Sequence, residues 1–585
     1  MNRLFTGRFS NYSFQKLQKD MLSGVIVGII AIPLAMAFAI ASGVKPEYGI
    51  YTACIAGILI SLFGGSKYQI GGPTGAFVPI LFGIVLTYGY ADLLLAGFLA
   101  GIMLVLMGVF KIGSFIKFIP RPVTVGFTSG IAVLIFTGQI ENFFGLTGLT
   151  KHEKFIDNMH EVMIHLDSVN GYSLGVALMS LLLILLTPKL LPKVPGSLIA
   201  LILTTLAASF FLSGNVVTIG SAFGNIPSEL PHFQFPEITW ERIERLLVPA
   251  FVIAALGGIE SLLSAVVADG MTNSKHNSNR ELIGQGIANI VTPLFGGIPA
   301  TGAIARTATN IKSGAASPMS GVIHGLFVLL TLVLFAPYAS LIPLASMAPV
   351  LMLVAWNMSE RRQFLNVLKM KNGDSLVLAV TFLLTIFVSI TTAVIVGLIL
   401  AVFLFAKRMS NLLVVSKVLP DHTLESEAVQ SNIVNASHDC PQISMYTIEG
   451  PLFFGAAQVF EQRIMDTLHF ESTVLILRMG EVPFIDATGE ANLSSIIKHF
   501  QKRGGIILIS GASETVKKTL QLSSLYERIG NNYFFEHTGE AITYALQIIN
   551  HKKCIGCSQF AFHECNSLSK GDDCRSHQAY QSCDT

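Results

Sequence analysis

Charge is what this chain has least of. Lys, Arg, Asp and Glu make up 13% of its 585 residues, where a soluble domain carries about 25%. Apolar residues supply 52%. That balance excludes a disordered chain, a coiled coil and an ordinary soluble enzyme. The net charge of +2 provides no basic field, so nucleic acid is not an expected partner. Cysteine is sparse, at seven residues with five of them after residue 550, which is not a disulfide scaffold. No Gly-x4-Gly-Lys-Ser/Thr run occurs, so ATP-driven transport is unsupported. No nucleophile–base pattern stands out, and an enzyme is not expected.

The few charges are bunched. None occurs in 122–140, 194–228, 313–359 or 375–406, and 22–110 holds only Lys45, Glu47, Lys67 and Asp92. A spanning helix needs about 20 apolar residues. The expected spans are 21–41, 48–64, 74–89, 92–110, 120–140, 172–188, 195–213, 246–268, 282–296, 303–313, 318–338, 341–357, 375–390 and 392–406, fourteen in all. With this count the basic residues fall in alternate loops, among them Lys67, Lys111, Lys117, Lys189, Lys193, Arg280, Lys312, Arg361 and Lys407. By the positive-inside bias those loops, and both termini, are cytosolic. The division is a cytosolic segment 1–20 without a cleavable signal peptide, a membrane domain 21–410, a linker 411–440, a soluble domain 441–550 and a cysteine-rich tail 551–585.

An internal repeat locates a candidate site. Gly71-Gly72-Pro73-Thr74-Gly75-Ala76 is similar to Gly296-Gly297-Ile298-Pro299-Ala300-Thr301-Gly302-Ala303. Each follows a long span by a similar offset, and each precedes a short apolar helix. Seven spans separate them, so the two halves are inverted. Paired Gly/Pro-interrupted segments in inverted halves point to a transporter site. Two helices would begin deep in the protein with their N-termini facing, and their free N–H groups favour an anion. The bland alternative is that Gly and Pro are simply common in membrane helices.

Two ionisable residues stand nearby. Arg306 sits early in the second short helix, where a lone Arg costs about 2.5–3.5 kcal/mol on insertion scales. It is expected at a cavity, a carboxylate or an anion, or else snorkelling to the cytosolic face. Glu260 is the one ionisable residue between Arg245 and Asp269. It is either a proton carrier or half of a permanent ion pair.

Three stretches carry a family resemblance: Ile32-Pro33-Leu34-Ala35-Met36-Ala37-Phe38-Ala39, the Gly-Gly-Pro-Thr-Gly-Ala motif, and Val267-Ala268-Asp269-Gly270-Met271-Thr272. They resemble the sulfate permease (SulP) family of anion transporters over about 20–550. Ala303-Ile304-Ala305-Arg306, Ser317–His324 and Leu353–Glu360 are similar to its bacterial C4-dicarboxylate branch. The resemblance implies a polytopic α-helical membrane protein of about 14 spans in 7+7 inverted repeats, with core and gate domains and a C-terminal α/β STAS domain. It implies an elevator movement, a homodimer in the bacterial inner membrane and no cofactor. Carried onto this chain, Thr74, Gly75, Ala76, Ala305 and Arg306 hold a small anionic substrate, Phe38 walls the site, and Glu260 couples protons. Succinate, fumarate or aspartate is the implied substrate; sulfate or sodium–bicarbonate symport is the alternative, and an anion channel or exchanger the alternative class. Ser264 could contribute an oxygen to a cation, but Ile304 supplies none, which favours protons over sodium.

The soluble part reads as strand Gln442–Ile448, a helix with Phe460, Ile464 and Leu468 on one face, and buried strands near 474–477 and 506–509. Asp486-Ala487-Thr488-Gly489 resembles the STAS phospho-acceptor motif at Thr488, although a plain helix cap explains it as well. A cytosolic protein partner would bind there. Cys554-Ile555-Gly556-Cys557 could bind metal, but the remaining spacings match no standard module, so an idle tail with no metal is the expectation.

Overall fold

The computed structural model describes residues 12–114, 120–191, 194–420, 429–431, 434, 438–467 and 472–570. Residues 1–11, with Arg3 and Arg8, Lys117, Lys193, Leu468 and the tail beyond 570 lie outside the described residues. The chain forms two compact units, Met1–Ala401 and Val402–Thr585.

The first half of the membrane unit contains α1 (Phe14–Ala41), α2 (Pro46–Phe63), β1 (Gly71–Gly72), a 3-10 turn Gly75–Phe77 leading into α3 (Val78–Tyr88), and α4 (Tyr90–Val109). Then come α5 (Arg121–Gly138), α6 (Ile140–Phe144), α7 (Phe155–Ile164), α8 (Gly171–Leu190), α9 (Gly196–Phe211) and α10 (Ile219–Phe223). The second half contains α11 (Trp240–Thr272), α12 (Ser278–Val291), β2 (Thr301–Gly302), α13 (Ile304–Lys312), α14 (Met319–Ala339) and α15 (Leu344–Met358). It closes with α16 (Arg361–Lys369), α17 (Gly373–Phe387) and α18 (Ile390–Ser410). Setting aside α6, α7, α10 and α16, each helix falls on one expected span. Among the described residues eight helices are long and apolar enough to cross a membrane, and Gly75–Tyr88, Gly196–Phe211 and Gly373–Phe387 are shorter apolar helices.

Helix α1 starts seven residues before the expected span, because Ser13 accepts from the Lys16 N–H and caps it. Helix α12 is too polar to face lipid, and small residues let it nest inside. A Cβ on Gly101 would lie 2.6 Å from the Ile290 nitrogen, and one on Gly286 would lie 2.6 Å from the Gly101 oxygen. Such backbone contact is how membrane helices pack tightly. Its Glu281 is fully buried and accepts from the N–H groups of Gly65 (2.7 Å) and Ser66 (2.9 Å), from Gln285 (2.9 Å) and from Ser261 (3.2 Å). This carboxylate ties the turn after α2 to both α11 and α12.

Helices α1, α2, α4 and α11 to α14 pack mainly on one another, around β1 and β2. Helix α5 packs on α15 and α17, and α8 on α9 and α15. These are the core and gate groups. Phe210, Phe211, Phe251 and Phe335 are exposed on the outside, as a lipid surround requires.

The second unit is built on a five-stranded sheet: β3 (Val414–Lys417), β6 (Ile443–Glu449), β7 (Val474–Glu481), β8 (Ile506–Ser510) and β9 (Phe534–Phe535), in that order. Two short strands, β4 (Leu419–Pro420) and β5 (Val429–Gln430), pair apart from it. Strand β3 is antiparallel to β6 and the other pairs are parallel. Parallel neighbours require crossover helices; these are α19 (Ala457–Thr467), α20 (Ala487–Lys502), and α21 (Glu514–Leu522) with α22 (Leu525–Ile529). Helix α23 (Thr538–Ile548) covers the sheet's other face, with Ala541 and Ala545 buried. Alternation divides the sheet residues between two cores. Leu475, Leu477, Ile507 and Ile509 face one, and Val474, Ile476 and Leu508 the other.

Two expectations need correction here. The linker 411–440 is not wholly linker, since β3 belongs to the sheet; Val-Val-Ser-Lys is too short for its alternation to register. The tail is not idle over 551–570. Ala561 and Phe562 are 1% and 2% exposed and anchor it to the sheet's second core, and α24 (Cys565–Ser569) follows.

Candidate anion site at two paired broken helices

The two motifs of the repeat meet. Strand β1 pairs antiparallel with β2, with Gly71 opposite Gly302 and Gly72 opposite Thr301. Each strand is followed within a few residues by a helix start: Gly75 on one side, Ile304 on the other. Antiparallel strands feeding helices in this way set the two N-termini toward each other. Neither helix is capped by its own N-cap side chain, Thr74 or Ala303. First-turn N–H groups are therefore left to other acceptors.

The strand pair needs glycine. Gly72 has φ +151°, and a Cβ there would sit 2.5 Å from Arg306 Nη1. A Cβ on Gly302 would overlap the Gln69 side chain at 1.5 Å. Gln69 is fixed there by donating to Ser261 Oγ at 2.9 Å.

Thr74 donates its hydroxyl to Glu260 Oε2 at 2.9 Å. This bond links the first broken segment to the middle of α11. Arg306 is 3% exposed and its Nη2 donates to the Pro73 oxygen, across the strand pair from its own helix. It is therefore turned into the protein and not toward the surface. Its Nη1 has no hydrogen-bond partner among the described residues. Ile304 and Ala305, by contrast, are exposed. Gly75 and Ala76 are buried; a Cβ on Gly75 would meet Met358 at 2.9 Å, and Ile135 and Phe38 at 3.3 Å. Phe38 is thus packed against Gly75 together with Ile135 of α5 and Met358 of α15, two residues that the sequence alone did not single out.

Ser264 is fully buried and donates to Thr307 Oγ1 at 3.1 Å. Thr307 Oγ1 also accepts from the Ile70 N–H at 3.1 Å. Thr307 was missed, although its place one residue after Arg306 was a sufficient signal. His324 is fully buried with neither ring nitrogen partnered among the described residues.

A cavity of about 650 Å3 lies on the side of the 141–171 loop. It runs between α1, α3, α5 and α17 and reaches Val78 and Ile135, one turn from Gly75. Lys151, Glu161 and Arg245 are among its charged lining. In the soluble unit, Asp486 Oδ1 accepts from the N–H groups of Thr488 (3.0 Å) and Gly489 (2.8 Å) and caps α20. The Thr488 side chain is exposed.

Residues 17–381 match the Sulfate permease family and 437–541 the STAS domain. The chain is 54% identical to "Putative sulfate transporter YvdB" of Bacillus subtilis (strain 168), over 92% of this chain and 99% of that protein. It is 31% identical to the transmembrane domain of a cyanobacterial bicarbonate transporter, BicA, whose structure matches with a TM-score of 0.59 over 67% of this chain and 98% of that one. The murine Slc26a9 anion transporter, in an inward-facing state, matches with a TM-score of 0.82 at 18% identity, over 93% of each chain.

Proposed function

Since the chain belongs to the sulfate permease family, we propose that it is a proton-coupled secondary transporter of a compact oxyanion, bound between the starts of α3 and α13. The pairing of Gly71–Gly72 with Thr301–Gly302 carries this reading, because it brings two uncapped helix N-termini together. Each helix end carries roughly half a positive charge. Arg306 adds a full one, and it is the one basic residue within 71–76 and 296–307.

A single arginine suits one compact anion better than a C4-dicarboxylate with two separated charges. Sulfate and bicarbonate are therefore favoured over succinate, in keeping with the names of YvdB and BicA. Protons are favoured over sodium, because Ile304 has no side-chain oxygen to offer a cation at the start of α13. In the cycle, the anion enters from the cavity beside α5. Phe38, Ile135 and Met358 part, Glu260 takes a proton, and the core group slides past the gate group to the other membrane face. The working unit is a homodimer in a bacterial inner membrane with cytosolic termini. Thr488 is a phospho-acceptor through which a cytosolic protein regulates uptake.

The test is uptake by purified protein in liposomes. Labelled sulfate, bicarbonate and succinate are offered under separate proton and sodium gradients. Accumulation of sulfate or bicarbonate under the proton gradient alone is expected. Accumulation of succinate only would overturn the compact-oxyanion reading, and sodium-driven accumulation would overturn proton coupling. Dissipation of an anion gradient without accumulation would make the protein a channel.

A further inference from the structure

Four cysteines from two separate stretches of the chain line one small void in the second unit. Cys440 lies just before β6. Cys554 and Cys557 belong to the Cys-Ile-Gly-Cys run, and Cys565 opens α24. All four line one cavity of about 30 Å3, and none is in a disulfide. Cysteine can pack as a small apolar residue, but apolar packing does not require four of seven cysteines at one small void.

The backbone around them is shaped for sulfur. The Cys557 N–H donates to the Cys554 oxygen at 3.0 Å, closing a tight turn. Gly556 in that turn has φ +76°, a conformation glycine adopts without strain. The Phe562 N–H donates to Cys565 Sγ at 3.4 Å, and Gln442 Nε2 to Cys554 Sγ at 3.4 Å. Donors aimed at sulfur orient metal ligands. The loop is also braced. Asn550 N–H donates to Gln442 Oε1 at 3.0 Å, and Gly556 N–H to the Ser569 oxygen at 3.1 Å.

Size and softness identify the ligand. A void of about 30 Å3 has room for one or two waters. It fits a single ion and is too small for an iron–sulfur cluster. Four thiolates select a thiophilic, tetrahedral ion with no open coordination position, which is the chemistry of structural zinc. Asp439 also lines the cavity but is paired with Lys417. Lys553 lines it too, and would offset part of the double negative charge of a zinc tetrathiolate. The side chains do not converge to ligating distance in this structure, so the ion would draw them together across the void.

We propose that Cys440, Cys554, Cys557 and Cys565 are the ligands of one structural zinc ion that fastens residues 551–570 to the start of β6. All of the cavity's lining lies within the second unit.

The full chain, purified without chelator, is analysed for metal. About one zinc per chain is expected, falling below roughly a fifth in Cys557→Ser and in Cys565→Ser, and unchanged in the membrane-domain control Cys54→Ser. A variant that does not fold would leave the wild-type measurement decisive. Chelator-stripped wild-type chain titrated with Co2+ should develop thiolate charge-transfer bands and the visible bands of tetrahedral cobalt. Absence of both zinc and cobalt bands overturns the proposal. So does a disulfide among the four cysteines, or iron with matching sulfide in place of zinc.

Discussion

The Thr74 hydroxyl donates to Glu260 Oε2 at 2.9 Å, so a residue at the start of one repeat's broken helix is bonded to the middle of the other repeat's first long helix. Any change of charge at Glu260 is thereby felt at the proposed anion cradle. Glu260→Gln keeps the size and an acceptor but removes the titrating group. Uptake driven by an imposed proton gradient should fall to the passive level, while anion exchange persists. Tracer flux with a pH-sensitive dye in the same liposomes measures both, and intact accumulation would remove Glu260 from coupling.

Arg306→Met should retain membrane insertion, because the apolar chain still fills the space behind β1. Substrate uptake should fall at least tenfold, about 1.4 kcal/mol. Arg306→Lys should recover part of the loss, since it keeps the charge without the two-pronged donor. Initial uptake at several substrate concentrations tests this, and an unchanged apparent affinity in both variants would put Arg306 outside the site.

Gly72→Ala tests the strand pair. The new Cβ would lie 2.5 Å from Arg306 Nη1 on a backbone with φ +151°. Overpacking of this kind costs about 1–3 kcal/mol. The full chain in detergent should melt at a lower temperature and lose uptake, whereas Gly270→Ala should do neither, because a Cβ there meets nothing within 4 Å.

Ser264→Ala removes the bond to Thr307 without adding bulk. It should lower uptake by a similar factor whether the external cation is sodium or potassium. A selective loss in sodium would revive a cation site at this position.

Asp486→Ala removes the cap of α20, at a cost of about 0.5–2 kcal/mol. The soluble unit should become more sensitive to proteolysis in the full chain while transport at low temperature is retained. Thr488→Val should preserve both the fold and basal uptake but abolish any phosphate labelling of the protein.

Much of this architecture is legible in the sequence, for a simple reason. Charges are so costly in hydrocarbon that their gaps mark the spans. The repeat was legible because Gly72 and Gly302 each stand where a side chain would collide with a neighbour. Long-range packing was less visible. The direction of Arg306, turned onto Pro73, depends on a partner more than two hundred residues away. Ile135 and Met358 look like ordinary lipid-facing or core residues until Gly75 is seen against them. Cys440 could not be grouped with the tail cysteines, because a fold and not a spacing unites them.

The four-residue seam between β1 and β2 has a mechanical consequence. It stitches one inverted half to the other at the very point where solute is proposed to bind. If the halves rocked apart about a central pivot, that seam would tear and leave backbone donors bare in a dry interior, at several kcal/mol for each group. In the proposed cycle the stitched helices would travel as a single cargo-bearing block, with the slip plane along the apolar contacts with α5 and α15, where the described residues show no hydrogen-bonded strand in register.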